Sequence, residues 1–186
     1  MLELRYRNAD AWSAELRPKD DGGFDPEGFE AWWERSSGQL GNIHPQIAEQ
    51  WLHRHYSSTR YRFLDLRQLT WREERWTTAE FMASVHLEFG GPADPDHDYE
   101  AFQKGAGWGP LLTARGWRGG SWDVPVVILE TPSGVRSYDG DMPDVRFLVI
   151  EGSKRYRYLN ALVHRGEETG PHSLFILRST QVEAEG

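Results

Sequence analysis

The chain has 186 residues, a formal net charge of -8 and no cysteine. Its length fits one ordinary domain with room for an extension, and a chain of this size buries roughly 70% of its unfolded surface without staples. The missing cysteine excludes a disulfide scaffold, a thiol nucleophile and Cys-ligated zinc or iron–sulfur, and the acidity argues against a general binder of polyanions. No apolar run approaches ~18 residues, so no membrane span is expected. The start, MLELRYRNADAW, lacks the apolar stretch of a secretory signal, and a cytoplasmic protein is the expectation. Nine tryptophans are an unusual load, which composition does not explain.

The first Pro/Gly/Asp-rich stretch, residues 18–29, reads as an exposed loop. Residues 28–37 then predict a short helix with Phe29, Trp32 and Trp33 on one face. Residues 45–56 predict a second, with Pro45 at its first position and Ile47, Trp51 and His55 in a stripe. On that helix His53 and His55 point about 200° apart and cannot share a metal; His55 is expected inside and His53 outside. Residues 61–66 give a mixed strand signal. Thr77 and Glu80 have capping-box spacing at a helix start. Residues 90–98 read as a loop and 99–112 as weakly helical. Three short apolar runs, 124–129, 145–150 and 174–177, predict strands. Asp139, Asp141 and Asp144 alternate as in a calcium loop but lack its terminal Glu, so the segment reads as a plain hairpin or crossover loop. Residues 153–164 predict a helix with Tyr158, Leu159, Leu162 and Val163 inward, and 181–186 read as a frayed tail. Strand, helix and strand in this order indicate an α/β or α+β domain.

The sharpest local feature is FLVIEGSKRYRYLNAL, residues 147–162. A buried strand ends near Ile150, Glu151 and Gly152 turn the chain, and Ser153 is a good N-cap. Lys154 and Arg155 then sit in the first helical turn, where cations oppose the helix dipole. Two readings stand side by side. One is a plain strand–turn–helix with two solvated cations. The other is an anion site, where free N–H groups, the dipole and two cations converge on a phosphate.

These residues resemble the ParB/sulfiredoxin-like family. ParB-type domains carry a Gly-Glu-Arg-Arg phosphate box at this place. Gly152 matches its Gly and Arg155 its last Arg; Lys154 replaces an Arg, and Ser153 departs from the Glu. Residues 62–76 look like the family's opening strand and its Arg-bearing loop. Residues 109–129, with Gly116 and Pro125, look like its helix and Pro-initiated strand, and residues 172–177 like its closing strand. The resemblance covers roughly residues 60–180. It implies an α+β fold, a ParB/sulfiredoxin-like mixed sheet flanked by helices, preceded by a helical N-terminal extension over residues 1–58 packed on the core. It also implies a phosphate or nucleotide ligand, CTP or ATP with Mg²⁺, held by Gly152, Ser153, Lys154 and Arg155, with Glu151 as the catalytic or Mg²⁺-binding candidate. The missing cysteine excludes sulfiredoxin chemistry, and no helix-turn-helix domain follows the box.

A second cluster, Trp71-Arg72-Glu73-Glu74-Arg75-Trp76, corresponds to the Arg-bearing loop. Arg72 or Arg75 would clamp a phosphate, and Trp71 or Trp76 would stack on a base; the other reading is a salt-bridged, Trp-pinned turn. Residues 60–76 hold five Arg against three acids, and residues 144–165 five Lys or Arg against two. Both are basic islands on an acidic chain. The first 58 residues are acidic, with six Lys or Arg against ten Asp or Glu, and carry Trp12, Trp32, Trp33 and Trp51. Three functions follow: a nucleotide-dependent phosphotransferase, NTPase or switch; a non-catalytic interaction module that forms a homodimer or binds a protein through the N-terminal extension; and a nuclease-like, nucleic-acid-processing accessory.

Overall fold

The structure is a computed structural model that describes residues 1–5, 10–88, 94–107, 109–167 and 169–180. In chain order the helices and strands are β1 (Leu2–Glu3), α1 (Phe29–Ser36), α2 (Pro45–Ile47), β2 (Leu69–Trp76), α3 (Thr78–Ser84), β3 (Val85–His86), α4 (Pro95–Lys104), α5 (Leu112–Arg115), β4 (Trp117–Arg118), β5 (Ser121–Trp122), β6 (Val126–Glu130), β7 (Val135–Ser137), β8 (Gly140–Met142), β9 (Phe147–Glu151), α6 (Ser153–His164) and β10 (His172–Ser179). The fold is mixed α+β. The expected tail, residues 181–186, Trp108 and residues 90–93 of the expected 90–98 loop lie outside the described residues. The end of that loop opens α4 instead, because Asp94 caps the helix through the His97 N–H and Pro95 takes its first turn.

The chain divides into two compact units. The first comprises Met1–Arg72, Glu130–Asp144 and Leu177–Gly186; the second comprises Glu73–Leu129 and Val145–Ile176. The residues read as an N-terminal extension fall inside the first unit.

The first unit is built on tryptophan. Trp12, Trp32 and Trp51 are buried, and each indole N–H finds an acceptor: the Leu64 carbonyl, the Leu16 carbonyl and the Thr59 hydroxyl. Large rings supply apolar area here while their polar edges stay satisfied. Trp12 meets Trp51 edge-on at 5.2 Å, and Trp32 lies 5.3 Å from His53. His53 was expected outside. It is half-buried among Phe29 and Trp32, with Nε2 on the Glu27 carbonyl at 2.7 Å. The reason is a departure from α geometry: residues 48–53 form a π-helical stretch, whose wider turn shifts the stripe read from α-helical spacing. The Arg35 guanidinium bonds Glu27 at 2.6 Å and holds its carboxyl down to about 2. Arg136 pairs with Asp141 across the β7–β8 hairpin at 2.7 Å, so the alternating aspartates form a plain hairpin. Parallel pairing of β1 with β7 adds a third strand.

Residues 61–66 are not a strand. Asp65 accepts from the Arg67 N–H and caps a short 3-10 turn over residues 66–68. Tyr61, Phe63, Leu64 and Leu66 are all buried, so the alternation came from a coiled segment sinking its apolar residues.

A five-stranded sheet, most of whose residues fall in the second unit, has the strand order β2-β10-β6-β9-β3, with β3 and β9 parallel. Phe81, Trp122, Val126, Ile128, Val149, Leu159, Leu174 and Ile176 pack into its core. Thr77 and Glu80 form the expected capping box at α3. In α6, Tyr158, Leu159 and Leu162 face inward as expected, but Val163 is 41% exposed and Ala161 is buried in its stead. A bidentate ion pair from Arg157 to buried Asp98, at 2.8 and 2.6 Å, ties α6 to α4. The β4–β5 hairpin turns on Gly119 and Gly120, both at positive φ (+58° and +82°). A two-residue turn of that kind requires such backbone at both positions.

Candidate functional site

Helix α6 begins directly after β9. Its N-cap is Gly152, at φ +109°, rather than the expected Ser153, which is the first helical residue. A left-handed glycine fits because a Cβ there would stand 3.0 Å from both methyls of Val126. Glycine has no side chain to cap with, and no side chain caps this end. The first helical bond is Tyr156 N–H to the Gly152 carbonyl. The N–H groups of Ser153, Lys154 and Arg155 therefore precede the helical ladder. Lys154 is exposed beside them.

Arg155 is otherwise engaged. Its guanidinium donates to the Val124 carbonyl at 2.6 Å and to Glu151 Oε1 at 3.0 Å. The side chains of Arg155 and Glu151 are only 12% and 19% exposed. Together they brace the entry of β6 against the exit of β9. The turn thus gathers Glu151, Gly152 and Arg155 into one bonded unit and leaves Lys154 as its projecting cation.

The Trp71–Trp76 cluster is not a loop. It lies in β2, at one edge of the sheet order. A run of Arg and Glu between two Trp carries no apolar alternation, because Thr70–Glu73 are all exposed. Period-2 geometry puts Arg72, Glu74 and Trp76 on one face and Trp71, Glu73 and Arg75 on the other. Arg72 and Arg75 therefore cannot approach one phosphate from the same face. Arg72 pairs with Glu130 at 2.7 Å, and Trp71 meets the His44 ring edge-on at 4.8 Å. Trp76 donates to Glu74 at 2.7 Å and packs on Phe147. Among the described residues no hydrogen bond or ion pair joins Arg75 to residues 151–155.

At the other end of α6 lies a cleft of about 810 Å³. Val163, Gly166, Glu167, Thr169 and Gly170 form one side; Thr78, Ala79, Met82 and the Gly119–Gly120 turn form the rest. Beside it stands His172, fully buried and stacked on Trp122 at 4.3 Å. Its Nδ1 meets Ser121 Oγ at 2.8 Å and its Nε2 meets Thr78 Oγ1 at 3.0 Å. Thr78 Oγ1 also reaches the Thr169 carbonyl and hydroxyl, each at 2.8 Å. Burial pushes the His172 imidazole down to about 4, so it is neutral at pH 7 and needs one donor and one acceptor. Sequence reading saw His172 only as the start of a strand. Its partners lie 51 and 94 residues away, and no local spacing announces such a chain.

Among the described residues no group of His, Asp and Glu side chains is placed to hold a metal ion, and no helix is long and apolar enough to cross a membrane. No family model, curated protein or solved structure matches the chain.

Proposed function

We propose that the chain is a phosphate- or nucleotide-binding protein of ParB/sulfiredoxin-like architecture, with its anion site at the first turn of α6. One observation carries this reading: the helix opens on a left-handed glycine with no side-chain cap, and the exposed cation of its first turn, Lys154, sits where the dipole disfavours positive charge. A bound phosphate turns both features to advantage. Gly152 lets the ligand approach the backbone, the N–H groups of Ser153 and Lys154 donate, and the Lys154 ammonium supplies charge. Arg155 and Glu151 hold the turn in shape through their mutual bond. Phosphotransfer, NTP hydrolysis or switching with CTP or ATP and Mg²⁺ would then begin with release of Glu151 from Arg155.

The test is thermal unfolding of the full chain with CTP, ATP, GTP or pyrophosphate, each with Mg²⁺ at millimolar concentration. A ligand at 100 times its Kd stabilises by about 2.7 kcal/mol, so an upward shift of several degrees is expected, and Lys154→Ala should reduce it. No shift with any of the four overturns the reading. A nucleic-acid backbone is separated from a nucleotide by gel shift: a response confined to DNA, weakening steeply with salt, transfers the site to the nuclease-like reading.

A further inference from the structure

The cleft at the C-terminal end of α6 has the opposite chemistry from the turn at its start. We propose that it is a separate ligand site, and that it takes a primary ammonium group on a short aliphatic stem.

The direction of the buried hydrogen bonds sets the polarity. The Thr169 carbonyl can only accept, so the Thr78 hydroxyl proton goes to it. Thr78 then cannot donate to His172 as well. Nε2 of His172 carries the hydrogen and donates to Thr78, while Nδ1 accepts from Ser121. The Thr169 hydroxyl in turn donates to Thr78. This fills both lone pairs of Thr78 and spends the Thr169 proton. Thr169 lines the cleft, and its Oγ1 keeps lone pairs and is an acceptor.

Three further features agree. Glu167 is the one acidic side chain among the residues that line the cleft. It already lies near a cation, with Arg165 at 4.0 Å; that pair is exposed and loose, and a ligand ammonium can share the carboxylate. Val163, Gly166 and Glu167 lie at the C-terminal end of α6, whose dipole is negative. Ala79, Met82 and the exposed face of Val163 supply apolar wall for a stem of a few carbons. An anion would meet a carboxylate, spent hydroxyls and the wrong end of a helix.

The same ammonium chemistry occurs in a free alkylamine and in a lysine side chain. The probes are n-pentylammonium, pentanoate as the anionic control with a similar stem, and Nα-acetyl-lysinamide. Each is titrated into the full 15N-labelled chain while the amides of Gly119, Gly166 and Gly170 are followed. Saturable shifts confined to the cleft are expected with pentylammonium, with at least tenfold weaker response to pentanoate. Glu167→Gln should weaken pentylammonium about fivefold without altering the melting temperature, and Thr169→Val should weaken it as well. Equal response to pentanoate, no saturable response to pentylammonium, or an unchanged affinity in Glu167→Gln overturns the proposal. Binding of the lysinamide with similar affinity supports the site and assigns it to lysine side chains; binding of pentylammonium alone supports it and assigns it to free amines.

Discussion

The two ends of α6 solve opposite problems with the same backbone. At its start, β9 feeds through Gly152 into an uncapped turn that carries Lys154 and Arg155. At its finish, Glu167, Thr169 and four glycines line the cleft proposed to take an ammonium group. The start is contiguous in sequence and partly spent: Arg155 is bound to Glu151 and to the Val124 carbonyl. The finish is assembled from three separate segments and stands beside a buried imidazole. The difference shows that a cation in a promising motif is not automatically a ligand contact. Arg155 fits the phosphate box by position, yet its present bonds are structural; Lys154 fits less well by type and is the one that projects.

Acid should separate the ends most strongly. His172 is neutral in the folded protein, with its proton affinity lowered to about 4, whereas unfolded it takes a proton near 6.5. Its stabilising contribution is complete above pH 6.5 and is lost as pH falls from 6.5 towards 4, on the order of 3 kcal/mol in total. Urea unfolding between pH 6.5 and 5 should show this slope, and His172→Gln should lack it. Arg155→Ala attacks the other end. It strands the Glu151 carboxylate and the Val124 carbonyl and should cost about 2–3 kcal/mol by chemical denaturation at pH 7. Gly152→Ala places a Cβ in left-handed backbone and 3.0 Å from Val126, for about 2 kcal/mol. Lys154→Ala should change stability by less than about 0.5 kcal/mol while lowering phosphate affinity. If Lys154→Ala proved as destabilising as Arg155→Ala, the assignment of one cation to the ligand and the other to the scaffold would be reversed.

The sequence made α6 legible because its apolar spacing, its preceding glycine and its buried flanking strands agree. The predicted limits, residues 153–164, are those of the helix. The capping box at Thr77 was legible for the same reason: both halves of the motif are local. Strand β2 was hidden because a largely exposed strand shows no alternation of apolar residues. Residues 61–66 misled in the opposite sense, since the Asp65 cap and its turn outweighed the aromatic alternation. The residues of the proposed first-turn site are five in a row and could be read together. The His172 chain joins Thr78, Ser121 and Thr169 across the fold, and only the tertiary structure brings them together.

Strand β1 pairs in parallel with β7, with Leu2 opposite Val135, and the Leu2 N–H donates to the Gly134 carbonyl. On the ribosome, therefore, Leu2 waits until more than 130 residues have followed it before its backbone finds a partner. The unit built from Glu73–Leu129 and Val145–Ile176 has its last segment synthesised before Leu177 emerges, whereas the unit that begins at Met1 draws on residues beyond it. The half that starts the chain is thus the last to have all its parts, and closing so wide a loop is slow. During that interval its tryptophans are the surface a chaperone would meet first.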